Sequence, residues 1–328
     1  MKRVKSLYNE DLGEAPLVTI GIPTKNRAWC IKRVLEAVEN IDYPKHRIKL
    51  VFVDDYSTHG TYRITSSWAS RDTEKGFYNV EVIRARTNIP QARNICIRLM
   101  EGRYLLFWDS DVIPPPRLLR EMVDIMERNL DIGIIGADYI YESSIGIKYK
   151  PSTNKETHAV YMGFTLIRKE IFEKSGLFNE NLSVGEDTEF CIRVGERTSY
   201  KIIWTPKPVL HLKRLDEVKR KGSFREWLKY NFNVRAEEYY KSFADLPRFL
   251  KVRVLYYASL PWLIIMGLIA LIVGIKVLAI APLIYVTPSL YLVMKQKGLK
   301  DGTVMWIKFN LPTGLALSHG VLRVAIKK

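Results

Sequence analysis

The chain has 328 residues and a formal net charge of +16 at pH 7, from 51 Lys and Arg against 35 Asp and Glu, a size that suits one large domain plus an appendage or two ordinary domains. Its three cysteines, Cys30, Cys96 and Cys191, are odd in number, far apart and without paired metal-type spacing, which excludes a disulfide framework and suits a reduced compartment. Residues 1–16 are charged and lack an apolar h-region, so no signal peptide is expected.

Five apolar, β-rich segments follow one another at 17–23, 48–53, 80–84, 104–108 and 132–137. Between them lie helical patterns at 29–40, 61–70, 91–101 and 117–129, the last opened by Pro114, Pro115 and Pro116, which suit a helix start. This alternation predicts an α/β fold with a mostly parallel, doubly wound sheet. Beyond Ala137 the pattern loosens into an α+β region. A strand is expected at 160–168, a short helix at 169–175, a helix from Gly185 to about Arg197, and a strand at 201–204 closed by Pro206 and Pro208, with His211 shortly after.

Residues 254–294 are almost wholly apolar. The stretches 254–274 and 277–294 each approach the ~20 residues a helix needs to cross a bilayer, and they predict a transmembrane hairpin. Lys and Arg crowd the preceding segment, from Lys213 to Arg253, and recur at Arg323, Lys327 and Lys328. Juxtamembrane cations mark the cytoplasmic side and attract anionic lipids by about 1 kcal/mol each. Because this basic cluster abuts an apolar segment and no nucleic-acid motif is present, membrane lipids rather than nucleic acid are the expected partner. The expected organisation is an α/β domain over 1–215, a basic interfacial helical region over 216–252 and a membrane domain over 253–328. Within the last, 303–326 is read as an amphipathic or re-entrant piece, since it carries Lys308, His319, Arg323, Pro312 and Gly314.

In open α/β sheets, ligands bind beyond the carboxyl ends of the strands. Three such ends carry polar residues: Thr24, Asn26 and Arg27 after the first strand, Asp54 and Asp55 after the second, and Asp109 and Asp111 after the fourth. Alternation along a strand would point the last pair to one side, and such a pair suits a hard divalent cation whose shell is completed by water and phosphate. Alone, Asp109-Ser110-Asp111 would read as a solvated acidic turn; three polar strand ends together are less economically explained as turns and caps.

The runs Val18 through Arg27, Val53-Asp54-Asp55-Tyr56-Ser57-Thr58, Ala92-Arg93-Asn94, Asp109-Ser110-Asp111 and Gly185-Glu186-Asp187, in that order, resemble the family 2 glycosyltransferases of the nucleotide-sugar-binding GT-A fold. The resemblance covers 17–211. It implies that Pro23, Thr24, Asn26 and Arg27 line the nucleotide pocket and that Asp55 accepts a hydrogen bond from the base or contacts the ribose. Arg93 would pair with phosphate, lock the Asp109 loop or serve only the fold. Asp109 and Asp111 match the family's Asp-x-Asp motif. Asp111 would ligate Mn2+ or Mg2+, Asp109 would contact ribose or a metal-bound water, and His211 would complete the metal set of Asp109, Asp111 and His211. Asp187, with Glu186, is the expected catalytic base, and Gly176 through Glu180 resembles the family's acceptor-side loop.

A base is needed for a hydroxyl acceptor and superfluous for a lipid phosphate, which is already anionic. The resemblance therefore implies single-sugar transfer from a UDP- or GDP-sugar to a hydroxyl of a lipid-linked glycan or glycolipid at the cytoplasmic face of a membrane. The alternatives are a polyprenyl-phosphate sugar synthase and a non-catalytic nucleotide-sugar-binding scaffold.

Overall fold

The computed structural model describes residues 14–71, 76–142, 156–182, 185–205 and 207–212, together with the single residues Leu246, Lys251 and Ile265. The chain divides into two compact units, Met1–Glu180 with Glu186–Lys213, and Asn181–Gly185 with Arg214–Lys328. The elements that follow lie in the first unit. The expected hairpin at 254–274 and 277–294 and the expected piece at 303–326 fall outside the described residues, Ile265 apart, and so does nearly all of 216–252. Among the described residues no helix is long and apolar enough to cross a membrane.

The elements run β1 (Val18–Thr24), α1 (Ile31–Glu39), β2 (Ile48–Asp54), α2 (Thr61–Ala69), β3 (Asn79–Arg84), α3 (Ile89–Arg98), β4 (Tyr104–Trp108), β5 (Val112–Ile113), α4 (Leu118–Arg128), β6 (Ile132–Gly136), β7 (Tyr139–Tyr141), β8 (Phe164–Arg168), α5 (Lys169–Ser175), α6 (Glu186–Arg197), β9 (Lys201–Trp204) and β10 (Val209–His211). A seven-stranded sheet has the order β3-β2-β1-β4-β8-β6-β9. Its strands are parallel except β8, which is antiparallel to both β4 and β6.

Strands buried on both faces explain the continuous apolar runs of the sequence. Val18, Ile20 and Ile22 of β1 pack with Ile31, Val34 and Val38 of α1 and with Leu118 and Met122 of α4. On the opposite face Val51 and Val53 of β2 and Leu105 and Phe107 of β4 pack with Ala92 and Cys96 of α3 and with Ile171, Phe190 and Val194 of α5 and α6. The sheet is therefore doubly wound, as the strand–helix alternation predicts.

One contact fixes how close α3 lies to the sheet. A Cβ at Gly21 of β1 would stand 2.7 Å from Cys96 Cβ and 2.8 Å from its Sγ, so the helix rests directly on backbone. Its start is set by a capping box in which Asn88 Oδ1 accepts from Gln91 N and Gln91 Oε1 accepts from Asn88 N, each at 2.9 Å. This places the helix start at Ile89 rather than at the expected Gln91. Gly21→Ala is expected to lower stability by about 1–3 kcal/mol through overpacking, read as a lower urea midpoint; an unchanged midpoint would mean that α3 shifts without cost.

Candidate active site

The carboxyl ends of β1 and β2 are tied to one another before any ligand is considered. Asp55 N donates to Thr24 O at 2.9 Å, Asn26 N donates to Ser57 Oγ at 2.9 Å, and Thr58 N donates to Asn26 Oδ1 at 2.9 Å. Asn26 has φ 53, a left-handed conformation that asparagine tolerates because its short side chain bonds locally. Arg27 N is held by Thr61 Oγ1 at 2.8 Å at the start of α2. Pro23 is partly exposed, whereas Thr24 is buried and turns its hydroxyl to Val53 O at 3.3 Å.

Asp54 is fully buried and accepts from Ser57 N at 2.9 Å, closing the turn. Asp55, the next residue, accepts from Thr87 N at 3.2 Å and pairs with Lys25, a partner whose pairing no sequence motif marks. Beside it Tyr56 has φ 40, which costs a non-glycine residue on the order of 1 kcal/mol. Its half-exposed ring lies between the guanidinium groups of Arg84 and Arg86, at 4.9 and 5.3 Å from the centroid.

Strand alternation stops at Trp108, so it does not govern the directions of the Asp109 and Asp111 side chains. A turn carries the pair: Val112 N donates to Asp109 O at 3.1 Å, and Trp108 Nε1 donates to Val112 O at 2.8 Å. The two carboxylates accordingly meet different partners. Asp111, buried, pairs with Arg27 at 3.0 Å and faces His211 Nε2 at 4.0 Å. Asp109, about one-third exposed, faces Arg93 at 3.7 Å.

His211 reaches Asp111 through a second, three-stranded sheet of order β5-β10-β7. β10 lies antiparallel to β5, with His211 opposite Val112, and parallel to β7, with His211 opposite Tyr141. Leu212 N donates to Asp111 O at 2.7 Å and completes the link. The imidazole is packed by Tyr139 and Tyr141 at 5.2 and 5.5 Å between centroids, and its buried Nδ1 has no hydrogen-bond partner among the described residues.

Arg93 joins the Asp109 turn to the start of α6. Its guanidinium is buried between the rings of Phe107 and Phe178, at 5.8 and 5.7 Å, and donates to Glu186 Oε1 at 2.6 Å. Burial acts to lower its pKa, but Asp109, Glu186 and Asp187 outweigh burial and the net direction is upward. Glu186 shows the counterpart: burial holds its carboxyl above the usual range, against the pull of Arg93. Asp187, partly exposed, accepts from Thr188 N at 2.6 Å. The neighbouring Asn94 clamps the 176–180 loop, its amide bonding Phe178 N at 2.9 Å, Phe178 O at 3.0 Å and Glu180 Oε1 at 2.8 Å. Asp109, Glu186 and Asp187 thus surround one guanidinium, while Arg27, Asp111 and His211 form an adjoining set and Asp55 with Lys25 a third.

Among the described residues no group of three or more His, Cys, Asp or Glu side chains is gathered closely enough to hold a metal ion. An ion bridging a diphosphate needs only one or two protein carboxylates, because phosphate and water complete its shell. Asp111 and His211, facing one another across 4.0 Å, offer the oxygen and nitrogen ligands that Mn2+ accepts.

Arg93→Met would leave Glu186 buried opposite no cation and is expected to cost about 3 kcal/mol at pH 7. A carboxyl whose folded-state pKa is raised contributes stability below its unfolded value of 4.5 and loses it as pH rises through the folded value. The deficit relative to wild type should therefore shrink between pH 7 and pH 5 in urea unfolding; a pH-independent deficit would show that Glu186 is not its source.

Residues 19–194, more than half of the chain, match the model of glycosyl transferase family 2. The chain is 27% identical over 192 residues to the glycosyltransferase AglE of Haloferax volcanii, covering 54% of this chain and 61% of AglE. It is 25% identical over 122 residues to the putative glycosyltransferase EpsE of Bacillus subtilis, covering 36% and 42% respectively. In both cases the match spans less than two-thirds of the relative. Among solved structures, the mannosyltransferase PcManGT of Pyrobaculum calidifontis, in complex with GDP-Man and Mn2+, superposes with a TM-score of 0.56 at 18% identity, over 96% of this chain and 89% of that one. TarS 1-349 of S. aureus, in complex with UDP-GlcNAc, superposes with a TM-score of 0.51 at 20% identity, over 69% of each chain. These two likenesses concern the fold. By its sequence match, its five ordered motifs and its doubly wound sheet, the chain belongs to glycosyltransferase family 2 and has the GT-A fold.

Proposed function

We propose that the chain is an inverting glycosyltransferase that moves one sugar from a UDP- or GDP-sugar to a hydroxyl of a lipid-linked glycan or glycolipid at the cytoplasmic face of a membrane. The observation that carries this reading is the convergence of Asp109 and Glu186 on Arg93, with Asp187 next in the same helix turn. It joins a donor-side carboxylate to an acceptor-side acid pair. The relatives' bound ligands, UDP-GlcNAc for TarS and GDP-Man for PcManGT, support a nucleotide-sugar donor.

In this reading Pro23, Thr24, Asn26, Arg27 and Asp55 form the nucleotide side, with Lys25 and Arg27 supplying positive charge to the diphosphate. Asp187 takes the proton from the acceptor hydroxyl as its oxygen bonds to the anomeric carbon. The bond to the diphosphate breaks on the opposite face, and the nucleoside diphosphate leaves with the electron pair. Glu186 and Arg93 hold Asp187 and Asp109 in register. Asp111 and His211 would hold Mn2+ or Mg2+, with Asp109 on the ribose or a metal-bound water, and the ion would act as a Lewis acid that neutralises charge on the leaving diphosphate. The basic run before 254 and the apolar stretches 254–274 and 277–294 support a membrane anchor that keeps this site near a lipid-linked acceptor.

Asp187→Asn is expected to lower kcat by about 10²–10⁴-fold with the nucleotide-sugar Kd unchanged by calorimetry. Full activity would remove Asp187 from the mechanism, and transfer to bare dolichyl phosphate would favour the lipid-phosphate acceptor instead. EDTA should abolish transfer and Mn2+ or Mg2+ restore it, with His211→Ala weakening Mn2+ binding by at least about tenfold, since loss of even an outer-shell partner costs about 10–100-fold; activity indifferent to EDTA would sink the metal assignment.

A further inference from the structure

Tyr161 is half exposed, at 51%, yet it is held firmly. One face stacks on Tyr139 at 5.4 Å and 14° between planes, and Trp204 meets it edge-on at 5.4 Å and 62°. Stacked aromatic pairs fix ring orientation, and a tyrosine pairs an apolar face with a polar tip. The platform therefore has a rigid base, a solvent-facing surface and a hydroxyl at its rim.

Its position is informative. At the base, a Cβ on Gly163 would stand 1.8 Å from Tyr139 Oη and 2.9 Å from Asp109 Oδ2, so Tyr139 and the Asp109 carboxylate share the space above that glycine. On the other side, Cys191 Sγ contacts Val160 O at 4.0 Å, immediately before Tyr161. Asp187 lies four residues earlier in α6, one turn along the same helix face. Burial first, and then the negative charges of Asp138 and Asp187, hold the Tyr161 phenol above its ordinary pKa, keeping it a neutral donor. The platform thus has the Asp109 carboxylate beside its Tyr139 base and Asp187 close enough for its charge to act on the Tyr161 phenol, within reach of an acceptor that presents its hydroxyl to the proposed base.

We propose that Tyr161, backed by Tyr139 and Trp204, is the stacking platform for the pyranose ring of the acceptor. The inference rests on the glycosyl-transfer reading above. A pyranose has a face of C–H groups that docks on an aromatic ring while its hydroxyls stay directed sideways, one of them toward Asp187. A bare lipid phosphate has no such face.

The test uses saturation-transfer NMR on the full chain with the methyl glycosides of glucose, galactose, mannose and N-acetylglucosamine. It is paired with calorimetry of UDP-GlcNAc and GDP-mannose in Mn2+. At least one methyl glycoside should bind wild type, bind Tyr161→Ala roughly five- to tenfold more weakly, and bind Tyr161→Phe and Tyr161→Trp nearly as wild type. The nucleotide-sugar Kd should be unchanged in all three variants. Equal glycoside binding by Tyr161→Ala, no glycoside binding by wild type, or a parallel loss of nucleotide-sugar affinity would each overturn the platform. Failure of the underlying reading is separable, because wild type would then bind neither nucleotide sugar.

Discussion

A buried guanidinium cannot stand without partners, and Arg93 is the group around which the catalytic domain closes. Taking a charge out of water costs several kcal/mol unless carboxylates and hydrogen bonds replace the solvent. Arg93 obtains that compensation from Glu186 and Asp109, between the rings of Phe107 and Phe178. The residue after it, Asn94, fastens the 176–180 loop. Both side chains belong to α3, which Gly21 admits directly onto β1. The turn that carries Asp109 and the helix that carries Glu186 and Asp187 therefore take their positions from one helix.

The sequence made the principal sheet readable because its central strands are buried on both faces and so appear as uninterrupted apolar runs. The same logic fails for β5, β7 and β10, which are two or three residues long. No periodicity can be read over that length; these strands exist because residues distant in sequence pair. Without them nothing in the sequence explains why His211 approaches Asp111. The order of the motifs located Asp55, Asp109, Asp111 and Asp187, but not their directions. The turn after Trp108 separates the carboxylates that alternation would have kept together. The expected strand over 160–168 begins at Phe164, leaving Val160 and Tyr161 outside it. Tyr139-Ile140-Tyr141 carried a signal of alternation in the sequence, too short to count as evidence.

Two kinds of surface meet at the site. Toward β1, β2 and β3 it is charged and hydrogen-bonded, with Lys25 at Asp55, Arg84 at Asp54, Arg86 at Tyr56 and Arg27 at Asp111, as suits a ligand carrying phosphates. Toward β7 and β9 it is aromatic, with Tyr139, Tyr161 and Trp204. The Asp109 turn lies at the boundary. Such a division lets two substrates of different chemistry be recognised by different elements, so that either surface can change without rebuilding the other.

The threading of β10 between β5 and β7 also has a temporal meaning. Asp109 and Asp111 leave the ribosome well before His211 is made, on the order of ten seconds earlier at ordinary rates of synthesis. Until β10 arrives, neither Val112 nor Tyr141 has its partner in the small sheet. A nascent chain can thus complete α3 and the first four strands while this corner stays open. The order of synthesis makes the corner around Asp111 one of the last parts of the domain to be finished.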